Sequence, residues 1–420
     1  MKLTEEQERM LGGEYGPGRQ KALDMLVKCG ETFDADRMVE VDSAHIFSTD
    51  PLEFVRKTLE GVDELNAFTT LMVAYAFQSE WCSAIGIRSE LAEPEIRVHK
   101  ERVNLLKKAG AYALFSCAPY LVGNMVRKGA IFSWPGSSGI IIANSLFGGR
   151  GNRDAAPTAL CSAITGFTPE MLLHKAENRH AELIVDIEDI DLEEMTEADF
   201  GALGYYIGLI AGSRNVGVVG HFPRRLPFEK LKYFLSPMPV SGAVSLCHIV
   251  GVTPEAPTLE TALRGMKPPE TIRLGKKELD IGFEKLNTAD DNQVDAVCLG
   301  CPHCSISEIK EIACLLDGKT VSEGTRLWIS TAEGIYHIAR QMGYVDIIED
   351  AGGQIFTGIC IMSVPFRDLE IEMKNSATNS ARCAHYQARG GVGGGSGVNV
   401  FYGSTKQCIT AALTGKWEGR

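Results

Sequence analysis

Short apolar runs alternate with helix-forming segments along most of this sequence, and no other feature restricts the fold as strongly. Strands are expected at Val216–Val219, Ala243–Val250, Asp295–Leu299, Leu327–Ser330, Val345–Ile348 and Ile355–Cys360, with helices behind several of them, as at Ser305–Leu316 and Ala332–Met342. Ala111–Ser116 reads as a further buried strand, and Gly139–Asn144 as another such run. Strand followed by helix is the pattern of parallel sheets covered by helices, so the fold class expected is α/β. The amino end differs. Thr4 with Gln7 fits a capping box that opens a helix, Gly12-Gly13 closes it, and a second helix runs from about Arg19 to Cys29. A charged helix is expected over Glu95–Ala109 and an apolar one over about Phe200–Ile210.

At 420 residues the chain exceeds one ordinary core. Three regions are expected: 1–110, helical with a first α/β part; 111–290, central α/β; and 291–420, C-terminal α/β. The acidic stretch Asp186–Asp199 and the proline-containing, charged stretch Thr253–Asp280 are the candidate boundaries, and the one low-complexity patch is Gly390–Gly397. A net charge of −12 argues against a nucleic-acid partner, since phosphate neutralisation needs clustered Lys and Arg. The start, MKLTEEQERML, has no apolar export region, and no apolar run approaches the roughly 20 residues that cross a bilayer. A cytoplasmic protein without membrane contact is therefore expected. In that compartment twelve cysteines are not a disulfide framework; most are core residues and a few are candidate metal ligands.

The densest cysteine signal is Cys298-x-x-Cys301-x-x-Cys304, the spacing with which one loop presents thiolates to an iron–sulfur cluster. Position 307, where a ferredoxin run would continue, is Ser307, and Cys298 falls inside a strand. Cys301-Pro-His-Cys304 also fits a thiol–disulfide oxidoreductase motif between a strand and a helix. Sorted by position in the strand pattern, three cysteines stand at strand exits: Cys117, Cys301 and Cys360. Ligands collect beyond the carboxyl ends of strands in open α/β sheets, and three thiolates leave one coordination position for substrate. Cys29, Cys82, Cys161, Cys247, Cys314, Cys383 and Cys408 lie within helical or strand patterns, where a free cysteine is usually a small buried hydrophobe.

Around those exits the sequence resembles the aconitase X branch of the aconitase superfamily. The segments that carry the resemblance are Ser116–Leu121, Ala143–Arg150, Asp199–Gly204, His248–Ala256, Leu299–His303 and Thr378–Tyr386. It implies an aconitase-like, multidomain α/β architecture with mostly parallel sheets around a central cluster, lacking the swivelling domain. It also implies that Cys117, Cys301 and Cys360 hold an iron–sulfur cluster, with 4Fe-4S, 2Fe-2S and a mononuclear iron all open. Cys304 stands where the family has a phenylalanine-like residue, which marks it as a non-ligand. The implied reaction is dehydration of a small hydroxylated carboxylic acid, cis-3-hydroxy-L-proline ahead of mevalonate 5-phosphate, because no Lys or Arg cluster dedicated to a phosphate is evident.

Candidates on the substrate side follow. His303 could orient a bound hydroxyl. Asn144, Ser145 and Arg150 fit a carboxylate-binding set, and Asn379, Ser380 and His385 belong to a polar loop beside glycines. Thr70 sits in a retained Thr-Thr-Leu and His45 in a retained Ala-His-Ile. The sequence departs from the family at Gly136, where an acidic residue is usual before Ser137-Ser138, and at Met72-Val73, where Asn-Pro commonly follows Leu71. The resemblance implies that a smaller swivelling domain supplies a serine base. The family-like segment Ser404–Gly415 ends five residues before Arg420, so that domain is expected as a separate small subunit, without which the chain is inactive. In the competing reading Ser138 or Ser380 is the base. Two other classes stay open: a thiol–disulfide oxidoreductase using Cys301 and Cys304, and a non-catalytic homologue.

Overall fold

The computed structural model describes residues 1–47, 50–72, 89–267, 270–363, 369, 373–389 and 397–419. The glycine-rich run 390–396 and Cys82 fall outside them. The first helix, Glu5–Leu11, carries the expected capping box of Thr4 and Gln7, and the second, Pro17–Thr32, starts on a proline whose missing N–H costs nothing at that position. Five short strands follow: β1 (Met38–Glu40), β2 (Ser43–Ile46), β3 (Phe68–Leu71), β4 (Phe132–Ser133) and β5 (Phe167–Pro169). β2 lies between β3 and β4 in a parallel sheet, while β1 and β5 form an antiparallel pair.

The second sheet is parallel, in the order β8-β7-β6-β9, from β6 (Leu183–Asp186), β7 (Val216–Val219), β8 (Cys247–Ile249) and β9 (Thr271–Arg273). The third is also parallel, in the order β12-β11-β10-β13-β14, from β10 (Ala296–Cys304), β11 (Arg326–Thr331), β12 (Gln354–Thr357), β13 (Asn375–Thr378) and β14 (Asn399–Tyr402). Parallel strands need cover on both faces. β10, buried along its whole length, shows how that is met: Ala296 and Cys298 face one apolar cluster, and Val297 and Leu299 face another. The first cluster continues through the helix Glu197–Ala211 into the second sheet and takes in Cys301 and Cys360. The thiols thus lie where the central and C-terminal layers share a core. Among the described residues no helix is long and apolar enough to cross a membrane.

Several expectations are corrected. Gly139–Asn144 belongs to the helix Ser137–Leu146, buried from Ser138 to Ser145, and an apolar run buried on all sides carries no period that separates helix from strand. Val345–Ile348 lies in the helix Tyr344–Asp350, with burial at Val345 and Ile348, three apart as on a helix face. Ala111–Ser116 makes only an isolated bridge from Tyr112 to Thr70, and Phe115 at φ 42° prevents a strand from continuing. Cys314 is exposed rather than buried.

Candidate active site

A cavity of about 200 Å³ opens where the ends of β10 and β12 meet the amino end of the helix Ser137–Leu146. Cys117, Cys301 and Cys360 all line it. Each arrives from a different segment. Cys301 lies in β10 where the register against β11 breaks between Leu299 and Cys304, and its bond to Pro302 is cis. The break depends on Gly300: its φ is 98°, and a Cβ there would lie 2.1 Å from the Ser330 carbonyl oxygen. Cys360 follows β12 and precedes a short 3₁₀ turn at Ile361–Ser363, and Cys117 precedes another at Pro119–Leu121.

Hydrogen bonds hold this wall from both sides. The His303 backbone N–H donates to Cys117 Sγ at 3.3 Å. The ring of His303 donates from Nε2 to the Ile359 carbonyl at 2.8 Å, which leaves Nδ1 to accept from the Ser116 hydroxyl at 3.2 Å. Burial lowers the His303 pKa to about 4, so the ring is neutral. Behind the loop, the buried Lys232 ammonium donates to the carbonyls of Pro302 (3.4 Å) and His303 (3.2 Å) and pairs with Glu308. The Cys301 thiol is drawn down to about 7, first by its hydrogen bond with Cys383, then against burial by Arg382, Ser380 and Lys232. Cys117 is pushed up to about 12 by burial and by its neighbour Cys301. Burial works against the Arg382 guanidinium, yet Tyr386 and the thiols of Cys301, Cys117 and Cys360 together hold its pKa above the ordinary value. One buried cation therefore faces all three thiols.

The rest of the cavity's lining includes Met72, Gly136, Ser137, Ser138 and Arg153, here taken together as a second wall. Among the described residues no side chain caps the helix that starts at Ser137, and its first two residues line the cavity. Arg382 Nη1 donates to Ser137 Oγ at 3.0 Å. Ser138 lies in the cavity with no hydrogen-bond partner for its hydroxyl among the described residues.

The remaining expected residues lie elsewhere. Ser380 caps the helix Ala381–Ala388 through the Cys383 N–H at 3.1 Å and touches Cys301, but does not line the cavity. Asn379 donates to Tyr233 and Thr405, and His385 bonds the Tyr205 hydroxyl at 2.9 Å. Asn144 holds the backbone of Gly151 and Ser245, and the Ser145 hydroxyl accepts from the Cys247 N–H. Arg150 pairs in a bridge with Ile131, and its buried Nε has no hydrogen-bond partner among the described residues. His45 and Thr70 bond each other at 2.7 Å inside a buried chain that runs on to Asn124 and Ser43. Cys304 packs with Leu299 and Ile309 in the other apolar cluster from Cys301, so the two thiols of the oxidoreductase motif do not share a face. Sequence reasoning does not single out Arg382, Arg153, Ser137, Ser116 or Lys232, and it reads Cys383 only as a small buried hydrophobe. Arg382 and Cys383 stood in the quoted segment Thr378–Tyr386; nothing in the sequence marked Arg153 or Lys232.

Among the described residues no three His, Cys, Asp or Glu side chains close around one point as ligands of a single ion would. The donors that share the cavity, three thiols outside any disulfide beside a buried guanidinium, fit the sulfur ligation of an iron–sulfur cluster, whose thiolate charge that cation would offset.

Three family models match in succession: the aconitase X first domain over residues 1–177, the second domain over 181–284 and the third domain over 294–414. The phosphomevalonate dehydratase large subunit of Methanothermobacter thermautotrophicus is 35% identical over 392 residues, 91% of this chain and 93% of that protein. The cis-3-hydroxy-L-proline dehydratase of Pseudomonas aeruginosa is 29% identical over 412 residues, 97% of this chain but 69% of that longer protein. The crystal structure of Thermococcus kodakaraensis aconitase X in its holo form superposes with a TM-score of 0.83 at 31% identity, covering 98% of this chain and 100% of that one. With all three domain models in order along its length, and relatives matched nearly end to end, the chain belongs to the aconitase X family.

Proposed function

We propose that this chain is the cluster-bearing subunit of a hydro-lyase that dehydrates a small hydroxylated carboxylic acid. Its relatives are named dehydratases, and two of their substrates, a phosphorylated hydroxy acid and a hydroxylated imino acid, share a carboxylate and a hydroxyl. The observation that carries the reading is the convergence of Cys117, Cys301 and Cys360 on one cavity under Arg382. These three thiols would hold an iron–sulfur cluster, and the chemistry such a group supplies when bound is Lewis-acid polarisation of the departing hydroxyl.

The chain's own residues have separable tasks. Ser137, Ser138 and the N–H groups of the helix end they open, with Arg382 and Arg153, bind the carboxylate. His303, tied at both ring nitrogens, is a positioning residue: its ring fixes the backbone N–H on Cys117. Ser138 is the one serine of the two proposed bases whose hydroxyl opens on the cavity. Its lack of a basic partner among the described residues leaves proton removal to a group from a small partner subunit, in keeping with relatives named as large subunits.

Prepared without oxygen, the chain should be brown and contain iron and sulfide, and Cys117→Ser, Cys301→Ser or Cys360→Ser should each remove most of both. Dehydration should be negligible until the small partner is added. A colourless, iron-free preparation that dehydrates a hydroxy acid would overturn the assignment.

A further inference from the structure

Two imidazole rings hold the backbone just ahead of two of the three thiols. His303 Nε2 lies 2.8 Å from the Ile359 carbonyl oxygen, in the peptide that leads into Cys360. His45 Nε2 lies 2.8 Å from the Ser116 carbonyl oxygen, in the peptide that leads into Cys117. A peptide unit is planar, so a ring that fixes the carbonyl also fixes the N–H end of the next residue and the direction from which its side chain leaves. The rings are linked, since the Ser116 hydroxyl bonds His303 Nδ1 at 3.2 Å. They differ in where they stand. His303 belongs to the loop of Cys301, whereas His45 is on β2 in the first domain, buried, and does not line the cavity.

His45 can hold that carbonyl only with its proton on Nε2, and a buried chain of donors decides this. The chain begins at Trp134, whose indole N–H can only donate; it gives to Ser43 Oγ at 3.0 Å. The Ser43 hydroxyl then donates to Asn124 Oδ1 at 2.6 Å, which turns the amide so that Asn124 Nδ2 donates to Thr70 Oγ1 at 2.7 Å. The hydrogen of Thr70 is left for His45 Nδ1, 2.7 Å away. Burial lowers the His45 pKa to about 4, so the ring is neutral and its one proton sits on Nε2. All five side chains of this chain are buried.

We infer that His45 is a positioning residue for the Cys117 sulfur, and that the Thr70 hydroxyl, which anchors the other side of its ring, controls how firmly the protein holds iron. The inference rests on the cluster reading of the three thiols and adds a part of the first domain to it. Without the Thr70 hydroxyl, His45 Nδ1 loses its donor and Asn124 Nδ2 loses its acceptor, both in a buried place. The ring is then free to tilt, and the peptide ahead of Cys117 with it.

The test is the rate at which the cluster-loaded chain gives up iron to an excess of chelator without oxygen, a readout that needs no turnover. Thr70→Val keeps the shape of the side chain and removes its hydroxyl, and iron should leave about 10-fold faster than from the unaltered chain. Thr70→Ser returns the hydroxyl and should stay within about twofold of the unaltered rate. Thr69→Val controls for plain loosening of β3: it removes the neighbouring buried hydroxyl, which donates to the Ala67 carbonyl at 2.8 Å, and should leave the rate unchanged. Unchanged iron loss in Thr70→Val overturns the inference and leaves the dehydratase reading standing, as does equal acceleration by the Thr69 and Thr70 variants. An unaltered chain that takes up no iron or sulfide overturns the cluster reading, and the inference with it. Where Thr70→Val does not fold, nitrogen NMR of the unaltered chain decides. The His45 ring, identified by its disappearance in His45→Gln, should carry its proton on Nε2, and a proton on Nδ1 overturns the inference.

Discussion

The two walls of the cavity differ in how far their polar groups are committed. On the thiol wall, His303 is fixed through its backbone N–H and both ring nitrogens, Lys232 holds two carbonyls and a carboxylate, and Ser380 caps a helix while touching Cys301. On the substrate wall, the Ser138 hydroxyl has no partner among the described residues, the helix end is uncapped, and Arg153 reaches the cavity from a largely exposed position. The difference follows from what each wall has to hold. Under the proposed function sulfur ligands would have to be placed before a cluster arrives, which fits supports built from internal bonds. Groups proposed to recognise substrate would have to keep bonding capacity for it, which fits their lack of partners among the described residues.

The strongest test of this contrast is Lys232, buried with Glu308 behind the Cys301–His303 loop. Lys232→Met leaves a buried carboxylate without its cation and should cost about 3–5 kcal/mol in urea unfolding, with loss of iron from the cluster. Adding Glu308→Leu should restore most of the stability but not the iron content, because the loop carbonyls still lack their donor. Recovery of both would mean that Lys232 only balances a charge.

A smaller effect is expected beneath the substrate wall. The Asp154 carboxyl accepts from Ser133 Oγ at 2.6 Å, and burial pushes its pKa from 3.8 up to about 7. With the folded value above the unfolded one, the folded protein keeps a proton that the unfolded chain releases, so this group's contribution to stability falls as pH rises from 3.8 to about 7 and is level beyond. Asp154→Asn should flatten that slope and gain up to about 2 kcal/mol at pH 8 relative to the parent protein. Parallel urea curves at pH 5 and pH 8 read this directly, and an unchanged slope in the variant would show that the carboxyl is not the source.

The smallest effect on stability belongs to Ser138. Ser138→Ala removes a hydroxyl with no internal partner, so unfolding should shift by less than about 0.5 kcal/mol. With the proposed small partner added, KM for the hydroxy acid should rise several-fold, with the iron content unchanged. Lost iron would place Ser138 with the thiol wall and erase the contrast.

Legibility followed the same division. The thiols could be picked out because cysteines at the ends of apolar runs form a pattern along one chain, although Cys117 follows an irregular segment rather than a strand. Asn144, Ser145 and Arg150 fit a carboxylate site in the sequence because they are polar and close together, yet Asn144 and Ser145 bond the backbone of Gly151, Ser245 and Cys247 and do not line the cavity. The apolar run that contains Asn144 suggests a strand, but it forms a helix whose first residues, Ser137 and Ser138, line the cavity.

The sequence by itself determined that the chain builds parallel α/β layers, since that follows from the order of apolar runs and helices, and it offered Cys117, Cys301 and Cys360 as one group. Which charges and hydroxyls share the cavity with them was decided only by tertiary structure. Arg153, Arg382 and the Met72–Gly136 contact come from four separate segments. Their meeting depends on how all three regions pack, and no local periodicity encodes the direction in which a side chain points across such a junction.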